Sequence, residues 1–528
     1  MHAEVGEAEI SDGWKQFGRV RLLSHAGFAY DALWKTILEL ASTMLLAGSI
    51  SCLLGYLVLR RIKAPLQAVV HQAQEISIKH FVTIPEPKVP ELKQLARAMN
   101  KTVLRLKEVF EAEAEKLEGL RKEANTDPVT GVANRSFFMS SLRAVLNNED
   151  TNKGNLILVR IANLAEVNKE IGRKECDKLI CAIAECLESY TLGHNQAMVA
   201  RLNGSDFALL TLESDIGFVM AKAVLTSLRQ TTNHWIKPEQ IIFVGIANFS
   251  QGLDMSQLLA EADRNLAEAE ITGGLNLRDA SIDAEGANLP SDREAWLEVF
   301  KDVLKNNRTK IGQFAVLDAK GALIHDECPL RLQLFPQGEW QPAGKFIAMA
   351  ERLNMTHLLD LAAVKLAIEQ LSTDANRPPI AINLSVSSIL HQDFDQTLLA
   401  LLKKHNKVTH KLWIEVGAEQ AFLHFNQFKA FSSALKGTGI TLGIEHFGQQ
   451  FAQIGMLYDL GLNYIKVDAT FVNDVDQNTG NQIFLQGLVD IAHNIGIQVI
   501  AEGVSNEAER EMVISLGFDG VTGTAVKV

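Results

Sequence analysis

The feature that most constrains this chain is a stretch of 20 residues that carries no charge. Leu40–Leu59 reads LASTMLLAGSISCLLGYLVL, and an apolar helix of that length can cross a bilayer. Arg60, Arg61 and Lys63 follow directly, and such basic residues favour the cytoplasmic side of a membrane. The sequence therefore predicts a transmembrane helix over residues 37–60, with the C-terminal part of the chain in the cytoplasm. The alternative is a buried helix of a soluble domain.

Residues 1–36 would then lie outside the cytoplasm, and they are too few to bury a core of their own. Asp12-Gly13 is a turn dipeptide between two runs typical of strands, and Trp14 follows it. We expect this segment to be the end of a larger extracytoplasmic domain. Tryptophan is a frequent hot spot of protein interfaces, so Trp14 is a candidate partner-binding residue. The alternative is that Trp14 packs within the rest of that domain.

Length and composition bound the remainder of the chain. A length of 528 residues predicts about three domains, and 47% hydrophobic with 22% charged residues is usual for folded proteins. The net charge of -12 argues against a general nucleic-acid-binding protein. The five cysteines form no C-x-x-C pair, so neither a zinc site nor a disulfide framework is indicated.

Two helical patterns follow the apolar stretch, and the proline-containing connector FVTIPEPKVP joins them. In the second pattern apolar residues keep 3-4 spacing over about five heptads, and only Glu113 interrupts them. The positions of this seam are Leu92, Ala96, Met99, Val103, Leu106, Phe110, Leu117, Leu120 and Ala124. Such a seam predicts a parallel coiled coil and therefore a homodimer. The alternative is one amphipathic helix packed on its own domain.

The rest of the sequence divides at a polar linker, residues 279–291. Before it, residues 125–278 alternate helical and strand patterns, which predicts an α/β domain. After it, in residues 292–528, each of several apolar runs ends in a polar side chain or is followed by one. These side chains are Asn383, Glu415, Glu445-His446, Lys466 with Asp468, and Glu502. Functional groups at the carboxyl ends of successive parallel strands are typical of a (β/α)8 barrel.

Several motifs resemble those of known signalling domains. TDPVTGVANRSFF (126–138) and ARLNGSDFALL (200–210) resemble a GGDEF diguanylate cyclase domain. Glu327-Cys328-Pro329, followed in order by AINLSV, WIEVGAE, IEHFG, YIKVDATFV and IAEGV, resembles an EAL domain, the cyclic-di-GMP phosphodiesterase barrel. Residues 61–108 resemble a HAMP relay module, with 109–124 as a signalling helix. With HAGFAYDALW before the membrane, the whole order is similar to that of LapD-type receptors.

This resemblance implies a bacterial inner-membrane receptor whose N-terminus lies in the periplasm. LapD-type receptors sense cytoplasmic cyclic-di-GMP and control a periplasmic protease of the LapG type, and through it adhesion and biofilm formation. The implied partners are cyclic-di-GMP, a second copy of the chain, the membrane and that protease, and not a nucleic acid.

The cyclase-like motif departs from its family's pattern. By resemblance, a metal-binding aspartate is replaced by Arg160, and the carboxylate positions of the signature loop become Ser205 and Asp206. Mg²⁺ ions on a triphosphate need carboxylates, and an arginine repels a metal ion. Cyclase activity is therefore not expected. Asn168 and Asp177 match the guanine-recognising pair, which leaves weak nucleotide binding open.

The EAL-like motifs keep part of the catalytic set. By resemblance, the metal ligands would be Glu327, Asn383, Glu415 and Glu445. Lys466 would position the attacking water, and Glu502 would support the metal and the water. Glu445 and His446 replace two consecutive aspartates that link the metals, and Mg²⁺ tolerates little displacement of its oxygen ligands. Further departures from the pattern are Gly417, Ala418 and Thr522. We therefore expect no catalytic residues in use, with Lys466 and Glu502 as remnants.

The ligand-binding positions are better kept. By resemblance, these residues are Gln313, Arg331, Asp360, Asn383, Lys466, Asp468 and Glu502. The guanidinium of Arg331 suits a phosphate group. The sequence thus predicts a receptor that binds cyclic-di-GMP through an inactive EAL domain. One alternative is an active cyclic-di-GMP phosphodiesterase that uses Mg²⁺ or Mn²⁺, and a weaker one is a scaffold that binds no nucleotide.

Overall fold

The computed structural model describes residues 5–23, 27–77, 83–148, 153–192, 197–212, 217–272, 275–276, 290 and 293–526. The chain divides into two compact units. The first consists of Met1–Glu75 and Val82–Thr102, and the second of Ile76–Phe81 and Val103–Val528. The predicted linker, residues 279–291, lies outside the described residues except for residue 290.

A β-hairpin opens the first unit, as the Asp12-Gly13 turn predicts. Strands β1 (Val5–Asp12) and β2 (Lys15–Leu23) pair antiparallel. Gly13 has a φ of 60°, a left-handed conformation that glycine adopts without steric cost. Every side chain described in the hairpin is exposed, and that of Trp14 is fully exposed. The role of Trp14 in an interface stays a prediction.

A single helix, α1 (Gly27–Ser77), contains the apolar stretch and continues past it. Its segment Tyr30–Ala73 is long and apolar enough to cross a membrane, with a hydropathy of 1.8 in an 18-residue window. Among the described residues this is the one helix with that property. The helix extends beyond the predicted 37–60 at both ends, and Pro65 lies inside it. Basic residues after the apolar stretch mark a membrane boundary and not a helix end, because lysine and arginine are good helix formers.

The second helix, α2 (Pro90–Asn125), runs without a break from the HAMP-like segment into the signalling helix. Within the first unit, Asn100 joins α2 to the connector and to α1. Asn100 Nδ2 donates a hydrogen bond to Ile84 O at 2.8 Å. Asn100 Oδ1 accepts hydrogen bonds from Ile84 N at 3.1 Å and from Gln72 Nε2 at 2.8 Å. Two helices held through their connector agree with the predicted HAMP-like arrangement, whose bounds, 61–108, stay a prediction.

The cyclase-like domain is a six-stranded sheet of order β3-β5-β6-β4-β7-β8. Its elements are β3 (Ala133–Asn134), α3 (Arg135–Asn147), β4 (Lys153–Ile161), α4 (Leu164–Ile171), α5 (Arg173–Glu188), β5 (Met198–Arg201), β6 (Asp206–Thr211), α6 (Gly217–Thr232), α7 (Pro238–Ile241), β7 (Ile242–Ser250), α8 (Met255–Thr272) and β8 (Leu275–Asn276). Alternate residues of β4 enter different apolar cores: Leu156 and Leu158 one, Ile157 and Val159 the other. Both faces of the sheet are therefore covered, which confirms the predicted α/β domain.

The C-terminal domain is a closed barrel of order β10-β11-β14-β15-β16-β17-β18-β19. In chain order its elements are α9 (Arg293–Lys305), β9 (Thr309–Ile311), β10 (Phe314–Asp318), β11 (Leu323–Glu327), β12 (Leu330–Gln333), β13 (Trp340–Gln341), α10 (Ile347–Arg352), α11 (Thr356–Thr373), β14 (Ile380–Leu384), α12 (Val386–Ile389), α13 (Phe394–Lys404), β15 (Leu412–Gly417), α14 (Ala418–Leu423), α15 (Phe425–Leu435), β16 (Thr441–Phe447), β17 (Tyr464–Val467), α16 (Ala469–Val472), α17 (Thr479–Asn494), β18 (Gln498–Ala501), α18 (Glu507–Ser515) and β19 (Gly520–Val521). Segments Ala343–Lys345, Thr409–Lys411 and Phe451–Asp459 are 3₁₀ helices, and β9, β12 and β13 form a separate sheet.

The predicted (β/α)8 barrel is confirmed with one difference in strand direction. Strand β10 runs antiparallel to both of its neighbours, β11 and β19. Only residues 319–322 connect β10 to β11, which is too short for the crossover that a parallel pair needs. The strands from β11 to β19 pair parallel in the barrel, so their carboxyl ends meet at one end.

From Val103 onward, α2 packs on the barrel of its own chain. Val103, Ala114 and Leu117 are buried in the same apolar core as the barrel. A glycine makes the approach possible, because a Cβ at Gly487 in α17 would lie 2.5 Å from Leu117 Cδ2. Part of the predicted coiled-coil seam thus packs on the barrel of the same chain. This packing agrees with the alternative interpretation, an amphipathic helix packed on its own domain. The homodimer stays a prediction.

Candidate functional site

At the carboxyl end of the barrel, the ammonium of Lys466 lies among three carboxylates. Lys466 is on β17, and its Nζ is 2.8 Å from Glu327 Oε2 and 3.2 Å from Glu415 Oε2. Glu502 follows β18, and its Oε1 is also 3.2 Å from Nζ. The side chains of Lys466 and Glu415 are 1% and 0% exposed. The structure therefore brings together Glu327 of the EAL-like motif and three of the polar residues that the sequence analysis placed at strand ends.

Burial and mutual attraction together set the charges of this cluster. Burial alone lowers the pKa of an ammonium, but the carboxylates around Lys466 outweigh it and raise the pKa well above its usual value. Burial raises the pKa of Glu415 to about 8, against the opposing effect of Lys466. Burial and the ammonium thus act in opposite directions on Glu415, and Lys466 is the counter-charge of the carboxylates around it.

Two ring side chains that the sequence analysis did not single out lie close to Glu415, and one of them forms a hydrogen bond with it. Tyr464 donates its hydroxyl to Glu415 Oε1 at 2.8 Å, and its ring lies against Gly443, where a Cβ would be 2.3 Å away. His325 Nε2 is 3.8 Å from the same oxygen. Burial, and then Lys466, lowers the pKa of His325 to about 3, so its imidazole is neutral. The alternation of β11 and β17 was the sequence signal that could have identified these inward positions.

Glu445 and His446 are adjacent but make different contacts. Glu445 Oε2 accepts a hydrogen bond from Asn383 Nδ2 at 2.8 Å, and burial raises the pKa of Glu445 to about 7. His446 has a φ of 54°, at a point where the register between β16 and β17 shifts. Its Nδ1 is 3.0 Å from Glu502 Oε2 and 3.3 Å from Asp468 Oδ2. Glu502 above all raises the pKa of His446 well above its usual value, although this side chain is half exposed and solvent screens the pair.

Two groups of donor atoms could hold a divalent ion. They are Glu327, Glu415 and Glu445, and Glu445, His446 and Glu502, with the ligand atoms of each group within 4.8 Å of one another. Asn383 Oδ1 is buried without a hydrogen-bond partner, which would suit a ligand atom. The first group offers carboxylates only, whereas His446 brings an imidazole to the second group. The second group therefore does not fit a hard Mg²⁺ ion, so these residues do not fit the pair of Mg²⁺ ions that the resemblance implies.

Gln313 and Arg331 lie close together near the amino end of β10. Gln313 directly precedes β10 and donates a hydrogen bond from Nε2 to Asp326 Oδ2 at 2.9 Å. Arg331 is on β12, and its Nε would be 3.3 Å from a Cβ at Gly312. Its guanidinium carbon is 5.9 Å from the ring centre of Phe314. A guanidinium, an amide and an aromatic ring are groups that contact the phosphates and bases of nucleotides.

Asp360 lies beside the loop that follows β14, and its predicted contact with a ligand stays a prediction. It lies in α11, is 6% exposed and accepts a hydrogen bond from Ser385 N at 2.8 Å. Burial raises the pKa of Asp360 to about 7. Ser385 comes two residues after Asn383 in the loop that follows β14. In this structure the carboxyl group of Asp360 holds the loop that carries Ser385.

The remaining departures from the EAL pattern offer no charged group to a ligand. Gly417 ends β15, and nothing lies within 4 Å of the position that its Cβ would take. Ala418 begins α14 and is buried, and Thr522 follows β19 and is also buried. The resemblance implies a threonine, a glutamate and a glutamine at these three positions. The residues present therefore do not supply the carboxylate and the carboxamide of that pattern.

In the cyclase-like domain an arginine pairs with the carboxylates where the resemblance implies a metal. Arg160 on β4 makes a two-pronged ion pair with Asp206 on β6, at 2.9 and 3.0 Å. Asp263 and Glu270 are 3.1 and 3.6 Å from the same guanidinium. Burial opposes the ionisation of Asp206, but hydrogen bonds from Arg160 and Asn203 hold its pKa below the usual value. An internal guanidinium thus neutralises these acids without a metal ion.

Family models match the segments that the motifs predict. Residues 1–34 match the LapD/MoxY periplasmic domain, residues 124–275 the diguanylate cyclase, GGDEF domain, and residues 298–527 the EAL domain. The chain therefore contains a GGDEF domain followed by an EAL domain. The helix of membrane-spanning length lies between the first match and the other two. This order of domains is the LapD-type arrangement, which confirms the resemblance seen in the sequence.

Two relatives and one solved structure place the chain among its neighbours. It is 24% identical over 423 residues to signaling protein YkoW of Bacillus subtilis, an alignment that covers 76% of this chain and 51% of that protein. It is 23% identical over 524 residues to cyclic di-GMP phosphodiesterase PdeB of Shewanella oneidensis, covering 93% of this chain and 58% of that protein. The chain thus spans between half and two thirds of these relatives. Vibrio cholerae LapD S helix-GGDEF-EAL (apo) shares the fold, with a TM-score of 0.68 at 21% identity, over 79% of this chain and 98% of that chain.

Proposed function

We propose that this protein is an inner-membrane receptor that binds cytoplasmic cyclic-di-GMP through its barrel without hydrolysing it. It then signals across the membrane to a periplasmic partner that controls adhesion. The observation that carries the proposal is His446, an imidazole that lies 3.0 Å from Glu502 and 3.3 Å from Asp468 at a position where the resembled enzyme has an aspartate that links its two metals. Gln313 and Arg331 keep groups that suit a nucleotide. The periplasmic-domain match and the membrane-length helix support the topology.

Arg331→Ala is expected to weaken binding of cyclic-di-GMP at least about tenfold, because a charge-assisted hydrogen bond contributes about 1.5–3 kcal/mol. Calorimetry on the detergent-purified full chain measures the dissociation constant. Lys403→Ala is a matched control, because Lys403 is an exposed cation in the last turn of α13. An unchanged affinity in Arg331→Ala would remove this residue from the ligand contacts. If the parent protein itself does not bind cyclic-di-GMP, the result would favour the alternative of a scaffold that binds no nucleotide.

A second candidate function is an active cyclic-di-GMP phosphodiesterase. The observation in its favour is that the resembled catalytic groups gather at one end of the barrel. They are Glu327, Asn383, Glu415, Lys466 and Glu502. Mn²⁺ accepts mixed oxygen and nitrogen ligands better than Mg²⁺ does. Linear dinucleotide in a mixture of the protein, cyclic-di-GMP and Mn²⁺ would distinguish the enzyme from the receptor.

The seam of α2 offers a means of signalling, because two different packings need the same side chains. Val103, Ala114 and Leu117 are buried on the barrel, and a parallel coiled coil along the predicted seam would bury the same face of the helix. The two packings therefore exclude each other. We propose that dinucleotide binding shifts the balance towards the dimeric coiled coil.

A cysteine introduced at Leu106 is expected to crosslink to its copy more strongly with cyclic-di-GMP than without it. Leu106 is partly buried against the barrel core, so the coiled coil becomes available only when α2 is released. Oxidative crosslinking followed by denaturing electrophoresis measures the effect. Glu108, an exposed residue outside the seam, is the matched control and should crosslink less. Equal crosslinking at both positions would contradict the seam, and equal crosslinking with and without ligand would contradict the switch.

Trp14→Ala is expected to abolish capture of the periplasmic partner, a protease of the LapG type, and to leave cyclic-di-GMP affinity unchanged. The reason is that Trp14 is fully exposed at the tip of the hairpin, and buried tryptophans dominate many interfaces. A pull-down with the full-length receptor measures the retained protease, and Gln16→Ala on the neighbouring strand is the control. If parent and Trp14→Ala retain the protease equally, this residue does not belong to the interface.

A further inference from the structure

A one-turn helix after β17 connects the candidate site to the cyclase-like domain. Helix α16 (Ala469–Val472) begins with Asp468, whose Oδ1 accepts a hydrogen bond from Thr470 N at 2.8 Å. The other carboxylate oxygen of Asp468 is 3.3 Å from His446 Nδ1. The position of α16 therefore sets the position of a carboxylate that belongs to the candidate site.

The carboxyl end of α16 is capped by a side chain of the cyclase-like domain. Ser140, in α3, donates its hydroxyl to Thr470 O at 2.6 Å and lies 3.2 Å from Asn473 O. Asn473 Nδ2 donates in return to Ser140 O at 3.4 Å. All three side chains are buried. Carbonyl groups at the end of a helix have no partner within it, so this hydroxyl satisfies them where water is largely excluded.

A chain of ring contacts runs beside this cap. The ring of Phe137 in α3 is 5.5 Å from the ring of Phe471 in α16. Phe471 in turn covers Gly448, where a Cβ would lie 2.3 Å from the ring. Gly448 comes two residues after His446. Helix α3 therefore contacts, through one intervening phenylalanine, the residue that directly follows β16, the strand whose end carries Glu445 and His446.

The segment that follows α16 is tied both to α3 and to the loop after β18. Arg143 in α3 forms an ion pair with Asp474. Asp474 N donates to Glu509 Oε1 at 2.9 Å, and Glu509 Oε2 accepts from Ser505 N and Oγ, both at 2.8 Å. Glu509 is fully buried, and Ser505 comes three residues after Glu502. One buried carboxylate thus supports the loops after both β17 and β18.

We propose that helix α3 of the cyclase-like domain is a positioning element for the ligand site of the barrel, with Ser140 as its central residue. The inference rests on the proposed binding of cyclic-di-GMP by the barrel. Through its contacts with α16, helix α3 holds Asp468 and the end of β16, which carries His446, in place before a ligand binds. A ligand that meets a pre-ordered site loses less affinity to the ordering of loops. The cyclase-like domain therefore strengthens binding through α16.

The test compares Ser140→Ala with Ser141→Ala in the full chain. Ser141 is the matched control, because it is the next residue of α3, is also buried, and donates its hydroxyl to Phe137 O of its own helix at 2.9 Å. Ser140→Ala is expected to weaken calorimetric binding of cyclic-di-GMP by about three- to tenfold, the range for one buried hydrogen bond. Ser141→Ala should leave binding unchanged.

Amide hydrogen exchange without ligand supplies the second readout. Ser140→Ala should accelerate exchange in residues 445–448 and 468–474, and Ser141→Ala should not. Equal affinity and equal exchange in the two variants would overturn the inference. Tighter binding by Ser140→Ala would also overturn it, because α3 would then hold the site in a form that the ligand does not take. If the parent binds no cyclic-di-GMP, the proposed function fails, and the exchange comparison alone still decides whether α3 positions the site.

Discussion

Supplied with Mg²⁺ and cyclic-di-GMP, the purified protein is expected to release linear dinucleotide at least about a hundredfold more slowly than an ordinary enzyme, whose turnover is about 1–10³ per second. His446 brings an imidazole, paired with Glu502 and Asp468, to a position where the resembled enzyme has an aspartate that links its metals. Glu445 is also one methylene longer than aspartate, and a displacement of about 1 Å can cost about a hundredfold in rate. Chromatography of the nucleotides over several hours measures the rate.

A double substitution tests whether Glu445 and His446, at the positions of the two metal-linking aspartates, are sufficient to explain the expected slow hydrolysis. Glu445→Asp with His446→Asp restores both aspartates that the resemblance implies. It does not restore the groups replaced by Gly417 and Ala418, so the variant is expected to remain slow. If the parent protein turns over cyclic-di-GMP at an ordinary rate with either Mg²⁺ or Mn²⁺, the protein is an active phosphodiesterase. The proposal of a receptor that does not hydrolyse its ligand would then be wrong.

Replacing Lys466 by methionine is expected to lower the free energy of unfolding by about 3–5 kcal/mol, because it leaves buried carboxylates without their ammonium. Methionine keeps most of the side-chain volume, so the change in charge dominates over any cavity. Thermal unfolding of the purified protein should show a melting temperature lower by on the order of 10 °C. Calorimetry or circular dichroism at several pH values measures it.

The pH dependence of this variant has a definite sign. In the folded parent, Lys466 lowers the pKa of Glu415, which burial raises to about 8. Without the ammonium, the pKa in the folded variant therefore lies even further above the pKa in the unfolded chain. The folded state then releases protons on unfolding, so stability falls as pH rises, and the deficit should be larger at pH 8 than at pH 5.

Lys429→Met is the matched control for the charge removed. Lys429 is 3.1 Å from Asp459, and the two side chains are 43% and 34% exposed. Such exposed pairs contribute about 0–1 kcal/mol, so this control should melt close to the parent. Equal melting temperatures for Lys466→Met and Lys429→Met would contradict the structural role of the Lys466 cluster.

Features with a strong local signal were predictable from the sequence. The apolar run Leu40–Leu59, the Asp12-Gly13 turn and the polar residues at strand ends each depend on neighbours within a few positions, and the structure shows a long helix, a hairpin and a barrel there. The parallel strands then bring Glu327, Glu415, Lys466 and Glu502 together, as a barrel requires.

Features that depend on distant partners were not predictable in the same way. The seam from Leu92 to Ala124 is apolar whether it meets a second copy or its own barrel, so spacing could not choose between them. The hydrogen bond between Asp360 and Ser385 was not predicted, because it depends on how α11 packs on the loop after β14. Tyr464 and His325 escaped notice because a ring inside an apolar strand resembles ordinary core until its polar neighbour is known.

Arg160 has a consequence for how such a domain changes over evolutionary time. Its guanidinium is the counter-charge for Asp206, Asp263 and Glu270. A single return of this position to aspartate would place a fourth carboxylate among three, and like charges at such distances disfavour the folded state. The arginine, in contrast, finds its partners without any cofactor. A direct change of Arg160 to aspartate is therefore expected to lower the stability of the domain unless a cation binds among the four carboxylates.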